Sequence, residues 1–152
     1  MEDFGITDPR KMPEHFFHES VDRDYSSATR ADISKQHYTV CPRHWYFDVT
    51  LVCEDCRENF IWSVQDQRCW FETLGHCVES QAGCCRSCSD RRQRIKQLCR
   101  EYERIATQAR VWGRANLMVR VIEIVDALAE LGFQISPKMA QDRFLFERSV
   151  YK

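Results

Sequence analysis

The 152-residue chain lacks any run approaching the roughly 20 apolar residues that a membrane span needs, and its first ten residues, MEDFGITDPR, lack the basic-then-apolar layout of a secretion signal. It is therefore expected to be soluble and cytoplasmic, with no membrane partner. It also lacks a charge excess: the formal net charge is -1, which excludes a protein that coats nucleic acid over its whole surface. No internal repeat is apparent, so a solenoid or array is excluded as well. An even cysteine count is missing too. Nine cysteines in a reducing compartment do not make a disulfide framework, and an odd number leaves one unpaired in any case. Metal binding is the leading explanation for them.

Charge is distributed unevenly along the chain. Residues 1–37 hold eight acids against five bases, whereas residues 86–96 hold five bases against one acid. The first forty residues show no sustained hydrophobic period, two prolines and many charges, and are read as a mobile N-terminal arm. Its Phe16 and Phe17 are expected to pack loosely on the domain; a two-histidine metal site at His15 and His18 would need cysteine or carboxylate support that the arm does not offer.

Trp45 to Val52, WYFDVTLV, mixes aromatic and β-branched residues with partial alternation and predicts a strand; NFIWS predicts a second one. Ser63 can cap a helix over VQDQRCWFETL that ends at Gly75. Beyond Cys88 the pattern turns helical. Ile95, Leu98, Tyr102, Ile105, Ala109 and Trp112 form one stripe, and Leu117, Val121, Ile124, Leu128 and Leu131 a second. The register slips at Gly113, which predicts two helices folded against each other rather than one rod. Ser136 and Pro137 open a third helix containing Phe144, Phe146 and Val150. The second stripe also offers a route to a homo-oligomer.

Cys53 and Cys56 form one CxxC pair, and Cys85 and Cys88 form another 28 residues on. Two intervening residues let a tight turn aim both sulfurs at one cation, and two such turns close a tetrahedron. Cys84 would make a CxxxC with Cys88, so Cys85 is the better ligand and Cys84 the surplus thiol. The second pair stands where the long helix begins, and the free N–H groups there favour thiolate over thiol. Zn2+ is the cofactor this donor set implies. His44, in a CxxH with Cys41, and His76 beside Cys77 are weighed as alternative ligands, and Cys84 and His76 remain open as substitutes. Cys69 and Cys99 are read as small buried apolar groups.

The stretch from Trp45 to Arg92 resembles the zinc-ribbon, treble-clef domain found in many bacterial proteins. The resemblance is carried by Tyr46, Phe47 and Asp48, by Phe60, Trp62 and Ser63, by Gln67, Trp70, Phe71 and Glu72, and by Arg91 and Arg92. It implies an α+β fold, with a short β-hairpin in a treble-clef zinc finger followed by an α-helical C-terminal region. The expected division is 1–40 arm, 41–96 zinc domain and 97–152 helical region. Cys77 and Arg86 stand where the family has prolines.

A zinc held by four sulfurs has no open position for water, so catalysis is not expected. The chain is read as a non-enzymatic zinc-binding module for macromolecular recognition. Arg86, Arg91, Arg92, Arg94 and Lys96 are the candidate nucleic-acid contacts, although the same cations could simply offset a zinc-tetrathiolate charge. A protein–protein adaptor acting through the C-terminal helices is the alternative, and a redox-sensitive zinc switch ranks third.

Overall fold

The computed structural model describes residues 3–17 and 19–152; His18, and with it the two-histidine alternative, lies outside the described residues. The chain divides into two compact units, Met1–Cys88 and Ser89–Lys152.

The first unit is built on an antiparallel sheet of β1 (Asp22–Arg30), β2 (Trp45–Val52) and β3 (Asn59–Trp62), with β2 in the centre. β2 buries Phe47, Val49 and Leu51 on one face and Tyr46 on the other, as the period of two along a strand dictates. Its partner β3 follows across the CEDC turn. Ser63 then caps α1 (Val64–Arg68) by accepting the Asp66 N–H at 3.1 Å. The helix widens into a π turn over Cys69–Thr73, where a uniform α-helix was expected, and Gly75 follows with φ +71°.

The separate arm is corrected for the described residues. Asp22 to Arg30 form β1, paired with β2 from Asp22↔Thr50 to Arg30↔Trp45, and Met12, Phe16 and Phe17 lie in the core with Phe47, Trp62 and Phe71. The reason is chemical. An edge strand with one wet face needs few apolar residues, and in DRDYSSATR only Tyr25 and Ala28 pack on the core cluster. Main-chain pairing supplies the rest, and a register irregularity between Asp24 and Thr29 breaks what alternation there is.

Arg43 ties this unit together, although nothing in the sequence singles it out. It is 1% exposed. Its guanidinium lies 4.6 Å from the Phe16 ring centroid, 5.2 Å from that of Phe17 and 4.5 Å from that of Phe71. Nε donates to the Val78 carbonyl at 2.7 Å, and Nη2 to the Phe16 carbonyl at 3.3 Å. Burial pulls its pKa down to about 9, which keeps the cation charged at neutral pH, where the three aromatic faces attract it.

The second unit contains most of α2 (Arg86–Trp112) together with α3 (Ala115–Glu130) and α4 (Pro137–Val150). Both stripes read from the sequence meet in one core: Leu98, Tyr102, Ile105 and Ala109 pack with Val121, Ile124 and Leu128, joined by Met139 and Phe146 from α4. Gly113, at φ +61°, separates α2 from α3, a conformation that residues with a Cβ rarely adopt. Trp112 departs from expectation, being 58% exposed.

Asp142 is 4% exposed. It accepts the Tyr102 hydroxyl proton at 2.5 Å and pairs with Arg110 Nε at 3.2 Å. Burial, and after it the Asp142 carboxylate, push the Tyr102 phenol pKa up. Tyr102→Phe is expected to lower the stability of this unit by about 1.5–3 kcal/mol, as for a hydrogen bond to a charged group. Urea unfolding followed by far-UV circular dichroism measures this.

Candidate metal centre

β2 ends one residue before Cys53, and the chain reverses at once. The Cys53 N–H donates to the Glu58 carbonyl at 2.9 Å and the Arg57 N–H to the Cys53 carbonyl at 3.0 Å. Arg57 adopts φ +64°, a left-handed conformation that costs a non-glycine residue free energy and is held here by the two bonds around it. The resulting turn aims Cys53 and Cys56 the same way. From the other side, the Glu54 N–H donates to the Gly83 carbonyl at 2.8 Å. A Cβ on Gly83 would stand 2.8 Å from the Glu54 carboxylate, so any larger residue there would have to turn this exposed side chain aside. That approach delivers Cys85 just before α2 and Cys88 in its first turn.

The Sγ atoms of Cys53, Cys56, Cys85 and Cys88 all lie within 4.8 Å of one another. Cys56 and Cys85 sulfurs are 3.9 Å apart, and the Cys85 N–H donates to Cys53 Sγ at 3.3 Å. A sulfur separation of 3.9 Å is far beyond a disulfide bond of about 2.05 Å. It does match the edge of about 3.8 Å of a tetrahedron whose centre lies about 2.3 Å from each sulfur, the Zn–S distance. The donor set and its spacing therefore fit a tetrahedral thiophilic cation.

Electrostatics support the same use. The Cys56 backbone N–H pulls the Cys53 thiol down to about 6, with those of Cys85 and Asp55 adding to the effect. Cys88 is pushed up to about 12, first by its hydrogen bond with Cys85 and then by burial. Four neighbouring sulfurs cannot all ionise unaided, and a divalent cation displaces the protons they share.

Among the described residues this is the one group of three or more metal-ligating side chains close enough to hold an ion. Cys84 stands outside it. His76 stacks on Trp70 with ring centroids 4.0 Å apart, and the Cys77 thiol donates to the Glu79 carboxylate. Cys41 is half-buried against the sheet core, and His44 is half-buried, its pKa lowered by burial. Cys99 is half-buried against the helical core, but Cys69 is exposed, which corrects its reading as a buried group: it lies two residues from both buried Gln67 and buried Phe71 and so falls on the opposite side of the helix.

The remaining motif residues brace the frame. Asp48 Oδ1 accepts the Val64 N–H at 2.9 Å, fixing the start of α1. Buried Gln67 donates through Nε2 to the carbonyls of Phe47 at 2.6 Å and Trp62 at 2.8 Å, bridging β2 and β3. Glu72 Oε1 accepts the Asp32 N–H at 2.8 Å. Tyr46 stacks on Phe71, and Trp62 packs against Phe71 and Trp70, so these aromatics form the core and not a stacking platform for bases.

The five candidate cations Arg86, Arg91, Arg92, Arg94 and Lys96 are all exposed on α2. They do not share one surface. Arg91 donates to the Leu131 carbonyl at 3.0 Å, just past the end of α3, and Arg94 contributes to holding the Glu101 carboxyl below its ordinary range, after Arg120 and Arg104.

Residues 47–97, about a third of the chain, match the model of a family described as a probable treble clef domain. The strand, knuckle, strand, knuckle and helix order and the four-cysteine cluster agree with that match, and the α+β class holds. No curated protein and no solved structure matches the chain. No helix among the described residues is long and apolar enough to cross a membrane.

Proposed function

We propose that the protein is a non-catalytic module in which one zinc ion, held by Cys53, Cys56, Cys85 and Cys88, supports a surface that binds nucleic acid. The observation that carries the metal reading is the closed set of four sulfurs. Tetrahedral thiolate coordination selects zinc among the common divalent cations, and a site filled by four protein sulfurs leaves no position for a water or a substrate. When bound, the ion supplies cross-linking between the two knuckles rather than Lewis-acid chemistry.

Charge supports nucleic acid as partner. The unit Ser89–Lys152 carries 13 Lys and Arg against 8 Asp and Glu, whereas Met1–Cys88 carries 9 against 15. A net charge of -1 thus conceals a basic helical unit and an acidic zinc-bearing one. Affinity for nucleic acid is expected to fall steeply with salt, with a log–log slope of about -0.9 per phosphate neutralised on duplex DNA. Fluorescence anisotropy between 50 and 200 mM salt, as orders of magnitude for such titrations, measures the slope, and a flat response removes this reading.

Association through the C-terminal helices finds support in exposed Trp112, Phe144, Leu145 and Tyr151. The second apolar stripe does not provide that surface, because Val121, Ile124 and Leu128 are fully buried within their own unit.

A further inference from the structure

Nucleic-acid binding, on which this inference rests, requires a contacting face, and α2 divides its cations in a way that selects one. At 3.6 residues per turn, Ser89, Arg92, Gln93, Lys96, Gln97 and Arg100 fall on one stripe, lining a shallow groove of about 410 Å³. The buried side of the helix, carrying Leu98, Tyr102, Ile105 and Ala109, points the other way. Arg94 is four residues and Arg91 seven residues before Leu98, so both flank the packed side. This agrees with the Arg91 bond to Leu131 and the Arg94 influence on Glu101.

Arg92, Lys96 and Arg100 recur every four residues, so the three cations span about 12 Å of helix. One strand of duplex DNA presents a phosphate about every 3.4 Å of axis, so three or four phosphates face that span. The acids of this unit that form ion pairs are engaged elsewhere: Glu101 and Glu123 with Arg120, Asp126 and Glu147 with Arg143, and Asp142 with Arg110. None of these pairs takes Lys96 or Arg100. Arg104, exposed four residues beyond Arg100, continues the row, with exposed Glu103 beside it.

We propose that this stripe of α2 is the contacting face and that its ligand is double-stranded DNA, entered through the major groove. Three features select that ligand. A major groove about 12 Å wide admits an α-helix, whereas the deep, narrow major groove of A-form RNA does not. Single strands are gripped by exposed aromatic side chains, and the stripe has none. Gln93 and Gln97, one turn apart beside the cations, each offer an amide donor and acceptor, the pairing that reads the N6 and N7 edge of adenine.

The test uses the full chain and measures anisotropy with mixed-sequence duplex DNA, duplex RNA and single-stranded DNA of equal length over a salt series. The double variant Lys96→Ala/Arg100→Ala is expected to weaken duplex DNA binding about tenfold or more and to flatten the salt slope by about 2. Arg94→Ala is expected to change affinity less than about threefold. Both variants alter exposed positions, and unchanged circular dichroism and thermal melting confirm that they fold. Duplex DNA bound with equal loss in both variants, or with no loss in the double variant, overturns the assigned face while nucleic-acid binding stands. Tighter binding of duplex RNA or single strands overturns the assigned ligand. Absence of binding to all three overturns this inference together with the functional reading beneath it.

Discussion

Cys85→Ala is expected to abolish stoichiometric metal binding and to unfold Met1–Cys88 while leaving the helical unit folded. Three sulfurs remain in that variant, but the link between the first knuckle and the start of α2 loses the Cys85 sulfur, which lies 3.9 Å from that of Cys56. Structural zinc contributes about 10–16 kcal/mol of apparent binding free energy at neutral pH in small fingers. Whole domains are stable by only about 5–15 kcal/mol. The loss is therefore comparable with the whole margin, even though the unit has an aromatic core of its own. Tryptophan emission separates the two units, because Trp45, Trp62 and Trp70 lie in the first and Trp112 in the second. A large red shift with retained helical circular dichroism is expected for Cys85→Ala and for wild type treated with a strong chelator. Cys84→Ala, which removes a thiol outside the cluster, is expected to leave metal content and emission unchanged. A reversal of these two results would exchange the roles of the neighbouring cysteines.

Arg43→Ala is expected to be the most destabilising change away from the metal, at about 3–5 kcal/mol. The substitution leaves buried carbonyls of Val78 and Phe16 without their donor, each at about 1–3 kcal/mol, and opens a void among Phe16, Phe17 and Phe71 that adds a cavity term. Arg43→Lys is expected to recover only part of the loss, since a lysine keeps the charge but lacks the planar fork that reaches separate carbonyls while lying on aromatic faces. Guanidinium unfolding monitored by tryptophan emission ranks the three proteins. Equal midpoints for wild type and Arg43→Ala would show that the aromatic cage closes without its cation.

The metal centre was legible in the sequence because its information is local. Two CxxC spacings name the four cysteines that the structure brings together, and the two-residue spacing to Cys88 picks out Cys85 rather than Cys84. The hairpin and the Ser63 and Ser136 caps were legible for the same reason: alternation and capping chemistry act over a few residues. What escaped depends on distant partners. β1 is a polar segment that becomes a strand only because β2 offers it an edge. Arg43 lies between two loops with no periodic pattern around it, and its partners are 27 and 35 residues away. Trp112 fits its helical stripe by spacing but stands exposed at the end of α2, beyond the last buried residue of that stripe, Ala109. The five cations of α2 formed a single cluster as a string of letters, and only the orientation of the helix separates Arg91 and Arg94 from the outward Lys96.

One metal ion held by two sulfur pairs is the claim on which the rest depends, and zinc-edge X-ray absorption of the purified full-length protein tests it most directly. The expected spectrum is a single shell of four sulfurs at about 2.3 Å, with one zinc per chain. A fully folded protein with no stoichiometric cation, or with zinc in a shell of nitrogen and oxygen, would contradict it.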